Sequence, residues 1–179
     1  PSTEEAIGEV ALGDARDVDR AVAAARRAFV SFSQTRVAER VALLQRLLEA
    51  YLARYDEMAQ VISREIGAPA KLAHAWQAGL GKRHIEETLR TVEHFPWQRK
   101  KGTTLINHEP VGVAALITPW NWPINQIVCK VAPALAAGCT VVLKPSEVSP
   151  MNAVLFAEIM HAAGVPEGVF NLLNGDGPS

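Results

Sequence analysis

Two short motifs place residues that could bind a ligand directly after apolar segments. The first reads TPWNWP at residues 118–123, and the second reads KPSE at residues 144–147. The apolar runs before them, at residues 111–118 and 140–144, have the composition expected for strands of a parallel sheet. Ligands of open α/β sheets bind outside the carboxyl ends of the strands. We therefore expect both motifs to lie at one ligand-binding edge.

The first motif holds Asn121 between two tryptophans and two prolines. A side-chain amide in such a rigid turn is a suitable donor to an oxyanion, because such donors act only when they are held in place beforehand. A lone Asn at the start of a helix more often caps the helix, but the flanking Pro-Trp and Trp-Pro pairs favour the oxyanion donor. The turn lacks the glycines of a G-x-G-x-x-G loop, so it does not hold phosphates in the usual way.

The second motif offers Lys144 and Glu147. An acidic residue after the second strand can accept hydrogen bonds from an adenosine ribose, and Lys144 can reach the same ribose or a phosphate. Alternatively, the motif is a polar strand end before a helix, where the helix dipole favours Glu147. The motif alone favours this second interpretation. Gly175 and Gly177, after the third strand, likewise fit either a simple turn or the cofactor edge.

The second half of the chain predicts a βαβαβ unit. Strands and helices alternate at residues 111–118, 124–137, 140–144, 152–163 and 169–173. This order predicts an α/β fold with a doubly wound parallel sheet. The first strand is almost wholly apolar, which predicts burial on both faces. Pro133 predicts a kink near Lys130 or two short helices in series.

The first hundred residues predict amphipathic helices that carry no catalytic signal. These helices are expected at residues 17–32, from about residue 36, at 56–66 and at 70–95. Asp14 or Asp17 would cap the first helix, and Gly67 would end the third. An exposed strand is predicted at residues 103–109, and the basic cluster at residues 99–101 is predicted to be a solvated loop.

Composition limits the possible functions. Apolar residues make up 49% of the 179 residues, and the formal net charge is −1. The 18 Lys and Arg residues are balanced by 19 Asp and Glu residues, which argues against nucleic-acid binding. No apolar run approaches the roughly 20 residues of a membrane span. Cys129 and Cys139 make no disulfide framework and indicate the reducing cytoplasm, and the scattered histidines predict no metal site.

Taken in order along the chain, these motifs resemble the aldehyde dehydrogenase superfamily. The resemblance covers nearly the whole chain and rests mainly on the two motifs above. Further matching segments are GEV at residues 8–10, the helix at 17–29, PVGV at 110–113, PALAAG at 133–138 and AGVP at 163–166. The family commonly has Phe or Tyr where this chain has Trp122, which is a mild departure.

The resemblance implies a two-step oxidation of an aldehyde substrate. A cysteine thiolate attacks the aldehyde and hydride passes to NAD(P)+, after which water activated by a glutamate hydrolyses the thioester. Asn121 matches the residue that stabilises the oxyanion, and Lys130 matches a lysine that could relay a proton. Trp122, Asn125 and Cys129 fall where the family lines its substrate tunnel. Cys129 has no neighbours in sequence that would activate it as a nucleophile.

The resemblance also implies a set of cofactor-binding residues. The set comprises Ile117, Thr118, Pro119, Trp120, Lys144, Ser146, Glu147 and, from its position after the third strand, Gly177. Glu147 implies NAD+ rather than NADP+, because its carboxylate would repel a 2′-phosphate. The segment at residues 103–109 resembles part of the family's oligomerisation arm, so we expect a homo-oligomer.

The resemblance divides the chain into three parts. Residues 1–99 and 111–179 are expected to form the helical part and the βαβαβ part of a Rossmann-like cofactor-binding domain, with an arm strand at residues 100–110. The family's nucleophilic Cys, its general-base Glu and its catalytic domain lie downstream of the matched region. We therefore expect an incomplete sheet and an inactive chain when these residues stand alone. The alternatives are a truncated remnant that acts as an assembly or interaction module, and an unrelated nucleotide-binding module.

Overall fold

The computed structural model describes residues 4–176 of the chain. Helices fill the chain up to Val92, an antiparallel hairpin follows, and from Val113 onwards helices alternate with parallel strands. The helices are α1 (Ala15–Phe32), α2 (Val37–Ala53), α3 (Tyr55–Ile66), α4 (Ala70–Leu72), α5 (Gly79–Val92), α6 (Pro123–Ala136) and α7 (Met151–Ala162). The strands are β1 (Gln98–Lys101), β2 (Thr104–Asn107), β3 (Val113–Ile117), β4 (Thr140–Lys144) and β5 (Phe170–Leu172).

The predicted helices of the first half are confirmed, and capping groups explain where two of them begin and end. The Asp14 carboxylate accepts hydrogen bonds from the N–H groups of Arg16 and Asp17, and the Asp17 carboxylate accepts from the N–H of Asp14. These reciprocal bonds satisfy N–H groups that have no partner inside α1. Gly67 ends α3 with a φ of 70°, a conformation that glycine adopts at little cost.

The helix predicted at residues 70–95 contains a π-helical segment, Ala73–Ala78, between α4 and α5. Two tyrosines bond to carbonyl groups of this segment. The Tyr51 hydroxyl donates to the carbonyl of Ala78 at 2.8 Å, and the Tyr55 hydroxyl donates to the carbonyl of His74 at 2.5 Å. Gly81 leaves room for the Tyr51 ring, since an added Cβ there would collide with its hydroxyl group.

The βαβαβ unit forms a parallel sheet in the order β3-β4-β5, as the alternating pattern predicts. Helices cover both faces of this sheet. The side chain of Thr140 points to α1, and its hydroxyl donates to the carbonyl of Ala25 at 3.0 Å. Val141 and Leu143 alternate with Thr140 along β4 and join the apolar core that α6 and α7 share with α2 and α3. The doubly wound, Rossmann-like and incomplete sheet is therefore confirmed.

Within residues 4–176, the first strand is not buried on both faces, contrary to the prediction. Ile117 at the end of β3 is 74% exposed, and Val111 just before the strand is 90% exposed. β3 lies at the edge of the three-stranded sheet, whereas β4 lies between two neighbours and is buried from Thr140 to Leu143. An apolar composition does not distinguish an edge strand from a central one.

The prediction of two short helices around Pro133 is also wrong. α6 runs through Pro133 as one helix. The proline itself is exposed, while Val131, Ala132 and Leu135 around it are buried in the core. A proline inside a helix costs about 3 kcal/mol, and the packing of these neighbours offsets that cost.

The exposed strand predicted at residues 103–109 is confirmed as β2, which pairs antiparallel with β1. The basic cluster at residues 99–101 belongs to β1, so its assignment to a loop is wrong. This segment has no strand pattern of its own, and its conformation comes from pairing with β2. At the base of the hairpin, Phe95 stacks edge-on against Trp97 and His108, with ring centroids 4.6 and 5.2 Å apart.

Across residues 4–176, each helix is too short or too polar to cross a membrane.

Replacing Gly168 with Ala tests the contact between α1 and the turn before β5. Gly168 has a φ of +78°, and an added Cβ would lie 2.7 Å from the backbone oxygen of Ala24. Gly102 is the matched control, since its φ is +62° and, its chain neighbours aside, no atom of residues 4–176 lies within 4 Å of its added Cβ. We expect Gly102→Ala to lower the free energy of unfolding by about 1 kcal/mol through backbone strain alone. Gly168→Ala should cost at least about twice as much, because the strain and the clash add. Equal losses of unfolding free energy in the two variants, measured by urea denaturation, would contradict the close contact between α1 and the turn before β5.

Candidate functional site

The two motifs lie at the same edge of the sheet. Ile117 pairs with Lys144 at the last position of the β3–β4 register. The N–H of Thr118 then donates to the carbonyl of Lys144 at 3.2 Å, so the two chains leave the sheet side by side. The sheet therefore brings the turn at residues 118–123 next to the segment at 144–147, as expected for the carboxyl ends of neighbouring parallel strands.

The turn after β3 leaves the Asn121 side chain available. α6 begins at Pro123, and Trp122 occupies the N-cap position, where its carbonyl accepts from the N–H of Gln126 at 3.0 Å. Asn121 precedes the cap, is exposed, and makes no hydrogen bond to another described residue. Its amide therefore does not cap α6, and the capping alternative is wrong.

The other members of this turn differ in exposure. Thr118 is buried, Pro119 and Trp120 are exposed, and Trp122 is half-buried. Pro123 at the first helical position has the φ angle that a helix start requires. The turn therefore exposes Pro119, Trp120 and Asn121 in sequence after the end of β3.

The segment after β4 carries an ion pair. Lys144 Nζ lies 3.1 Å from Glu147 Oε2, and Ser146 Oγ accepts from the N–H of Val148 at 3.2 Å. The pKa of Glu147 lies below its ordinary value, mainly because its own backbone N–H donates to the carboxylate and because Lys144 is beside it. α7 begins only at Met151, so Glu147 lies outside its first turn and the helix-dipole alternative is wrong.

One face of α6 carries the proposed tunnel and relay residues. Lys130 Nζ donates to the carbonyl and the side-chain oxygen of Gln126, at 3.0 and 3.1 Å, and lies 3.8 Å from Cys129 Sγ. Asn125 Oδ1 lies 2.7 Å from His84 Nε2 on α5. Sequence analysis missed His84, because only the packing of α5 against α6 brings it to Asn125, and missed Gln126, which lies one turn before Lys130.

Asn174 follows β5, the third strand of the parallel sheet, and so lies at the same carboxyl end of the strands as the two motifs. The N–H of Gly13 donates to the carbonyl of Asn174 at 2.7 Å, so the segment before α1 is tied to the end of β5. Gly177, predicted as a cofactor-binding residue, lies outside the described residues.

A sequence model described as the aldehyde dehydrogenase family matches residues 1–179. The chain belongs to the aldehyde dehydrogenase family. The resemblance inferred from the two motifs is thereby confirmed.

Aldehyde dehydrogenases with known sequences and structures are similar to the chain along its whole length. A 3-succinoylsemialdehyde-pyridine dehydrogenase from a Pseudomonas species is 50% identical over 179 residues, which is 99% of this chain and 38% of that protein. The crystal structure of an aldehyde dehydrogenase from Bartonella henselae superposes with a TM-score of 0.97 at 46% identity, covering 100% of this chain and 38% of the other.

A Cys-to-Ala variant of aldehyde dehydrogenase C from Pseudomonas syringae, solved with NAD+ and octanal, has a TM-score of 0.96 at 52% identity over 98% of this chain and 36% of its own. The chain thus spans less than two-fifths of the length of these aldehyde dehydrogenases.

Replacing Lys144 with Met tests the electrostatics of the ion pair. Because its pKa is lowered, Glu147 stays ionised at lower pH than an ordinary glutamate, and it is protonated only as the pH falls through that lowered pKa. Lys144→Met removes the ammonium and leaves the repulsion from Asp176, so we expect the pKa of Glu147 to rise. Carbon-13 NMR titration of the Glu147 carboxyl measures the change. Lys82→Met, which breaks a distant surface pair with Glu86, is the control and should leave Glu147 unaffected. An unchanged Glu147 titration in Lys144→Met would refute the pairing.

Proposed function

We propose that the chain is the NAD+-binding part of an enzyme that oxidises an aldehyde to a carboxylic acid through a cysteine thioester. One observation carries the proposal. An exposed amide, Asn121, that has no partner among the described residues lies at the strand edge where Lys144 and Glu147 form an ion pair. Membership of the aldehyde dehydrogenase family supports the reaction, and a similar structure that contains both NAD+ and octanal supports the two ligand classes.

The chemistry of the ion pair fits a nucleoside. The hydroxyl groups of a ribose both donate and accept hydrogen bonds, and the pair offers carboxylate acceptors on Glu147 beside ammonium donors on Lys144. Ser146 adds a hydroxyl group in the same segment. Glu147 is held in its charged form and would repel the 2′-phosphate of NADP+, which supports NAD+ as the cofactor.

The end of β3, beside the Lys144–Glu147 pair, suits the nicotinamide half of the cofactor. Ile117 presents apolar surface at the end of β3, and Thr118, Pro119 and Trp120 continue along the same edge. We assign these residues to the cofactor side of the site. Bound NAD+ would supply the oxidant for the aldehyde.

We assign Asn121 to the oxyanion that forms when a thiolate attacks the aldehyde carbon. The prolines at positions 119 and 123 restrict the backbone of the turn that carries Asn121, which supports a preorganised donor. Lys130 lies one turn along α6 from Gln126 and holds its ammonium close to Cys129, which suits a proton relay. Trp122, Asn125 and Cys129 would line the substrate tunnel.

The hairpin β1–β2 supports a homo-oligomeric enzyme. Its strands pair only with each other within the described residues, and Leu105 on β2 is exposed. Open strand edges of this kind readily pair with another subunit. We also place the enzyme in the cytoplasm, since both cysteines are unpaired.

Replacing Asn121 with Ala tests the oxyanion assignment. We expect kcat for aldehyde oxidation to fall about 10²- to 10³-fold with little change in the KM for NAD+, because one preorganised donor is lost. Gln45→Ala removes an exposed amide on α2 and is the matched control, with full activity expected. A kcat for Asn121→Ala within about twofold of the parent would exclude the assignment.

Replacing Glu147 with Gln tests the choice of cofactor. The variant keeps the shape of the side chain and removes the charge. We expect the ratio of kcat/KM for NAD+ to kcat/KM for NADP+ to fall by about tenfold or more, because the repulsion of the 2′-phosphate is lost. Glu167→Gln lies before β5, at the opposite edge of the sheet, and should leave the ratio unchanged. An unchanged ratio in Glu147→Gln would argue against ribose recognition by this carboxylate.

The mass and activity of the native polypeptide decide between the two main functions. We expect a mass well above the 19.4 kDa of this chain, together with NAD+-dependent aldehyde oxidation. A native mass of 19.4 kDa without turnover would instead favour an assembly or interaction module.

A further inference from the structure

α7 begins at Met151, with residues 148–150 between it and the proposed cofactor-binding segment, and its N-cap residue supplies no side-chain cap. Its N-cap residue is Pro150, whose side chain accepts no hydrogen bond from the first backbone N–H groups of the helix. The first N–H groups of a helix have no partner inside the helix and need one from elsewhere. A buried carboxylate from another helix meets this need at Met151 and Asn152.

That carboxylate is Glu65 in the last turn of α3. Its Oε1 accepts from the backbone N–H of Met151, and its Oε2 accepts from the backbone N–H of Asn152 at 3.2 Å. Glu65 is 8% exposed and lies 86 residues before Met151 in sequence. A cap from so far along the chain fixes α7 relative to α3, which a local Ser or Asp cap at position 150 would not do.

Asn152 extends the link towards the cofactor segment. Its Nδ2 donates to Glu65 Oε2 and to the carbonyl of Ser149, both at 2.7 Å. The N–H of Ser149 donates to the carbonyl of Ser146 at 3.1 Å. Hydrogen bonds therefore connect Glu65 through Asn152 and Ser149 to Ser146. Ser146 lies inside the segment that runs from Lys144 to Glu147.

This arrangement costs free energy, since burial raises the pKa of Glu65 while the donors of Asn152 and Met151 lower it. An apolar residue at position 65 would avoid that burial cost but would leave the start of α7 unsatisfied. The carboxylate thus stabilises one particular placement of the turn at residues 145–150.

We propose that Glu65 is a positioning residue for the cofactor-binding segment at residues 144–147. It acts through Asn152 and Ser149 and makes no contact with the cofactor itself. This inference rests on the proposed function, because it takes the Lys144–Glu147 segment as the ribose-binding element.

The test compares Glu65→Gln with the parent in the native polypeptide, with NAD+ itself as the probe in calorimetry. The amide of Gln has one acceptor oxygen where the carboxylate has two. The backbone N–H of either Met151 or Asn152 would therefore face the NH2 group of the Gln instead of an acceptor. We expect the Kd for NAD+ to rise about tenfold, while kcat at saturating NAD+ stays within about twofold of the parent. Amide hydrogen exchange at residues 146–152 should become faster in the variant without NAD+.

Ile62→Ala is the matched control, since Ile62 is buried one turn earlier on α3 and its side chain has no group that can hydrogen-bond to the network. It should lower the melting temperature at least as much as Glu65→Gln and leave the Kd for NAD+ unchanged. If Glu65→Gln does not fold, Asn152→Ala serves instead, because it removes the bridge to Ser149 and keeps the Glu65 carboxylate.

The outcomes separate this inference from the proposed function. A parent protein that does not bind NAD+ overturns the proposed function and the inference with it. A parent that binds NAD+, together with a Glu65→Gln variant of unchanged Kd and unchanged exchange, overturns the inference alone. Equal loss of NAD+ affinity in Ile62→Ala and Glu65→Gln also overturns it, because the effect would then follow from lost stability.

Discussion

The parallel pairing of β3 with β4 is the constraint on which the site depends. The register ends with Ile117 beside Lys144, and the next hydrogen bond joins Thr118 to the same strand end. Because β4 is central and buried, its position is fixed by packing on both faces. The Asn121 turn and the Lys144–Glu147 pair are brought together by this backbone pairing, and Asn121 makes no hydrogen bond to either residue of the pair. A slip of one residue would reverse the faces of the strand and separate the two motifs.

Backbone groups at irregular points of the helices find their partners on other helices. Tyr51 and Tyr55 donate to carbonyls of the π-helical segment, and Glu65 accepts from the first N–H groups of α7. In each case the chain departs from a regular, locally capped helix, and a side chain from a distant position compensates. The π-helical segment leads into α5, whose His84 contacts Asn125 on the proposed tunnel helix α6, and α7 follows the proposed cofactor segment. The bonds that complete these helices therefore act on elements next to the proposed site.

The sequence predicts features that depend on neighbouring residues and misses those that depend on packing. Hydrophobic periodicity, the Asp14 cap and Gly67 give the helices correctly, because their causes lie within one or two turns. The strand at residues 98–101 forms only through its pairing with β2, and the exposure of Ile117 follows from the place of β3 at the side of the sheet. The His84–Asn125 contact joins residues 41 positions apart. The motif at residues 118–123 was identified from its composition, but only the structure shows that Trp122 holds the N-cap position and leaves the Asn121 amide uncommitted.

The bond between Thr140 and Ala25 has a consequence for synthesis on the ribosome. The two residues are 115 positions apart, so the apolar side of α1 is made long before the strand that covers it. At roughly 5–20 residues per second, α1 waits on the order of ten seconds for β4 to leave the ribosome. During that interval the hydrogen bond from Thr140 cannot form, and Ala25 lacks the strand that buries it in the finished fold. Translation thus produces α1 well before the strand against which its buried Ala25 packs.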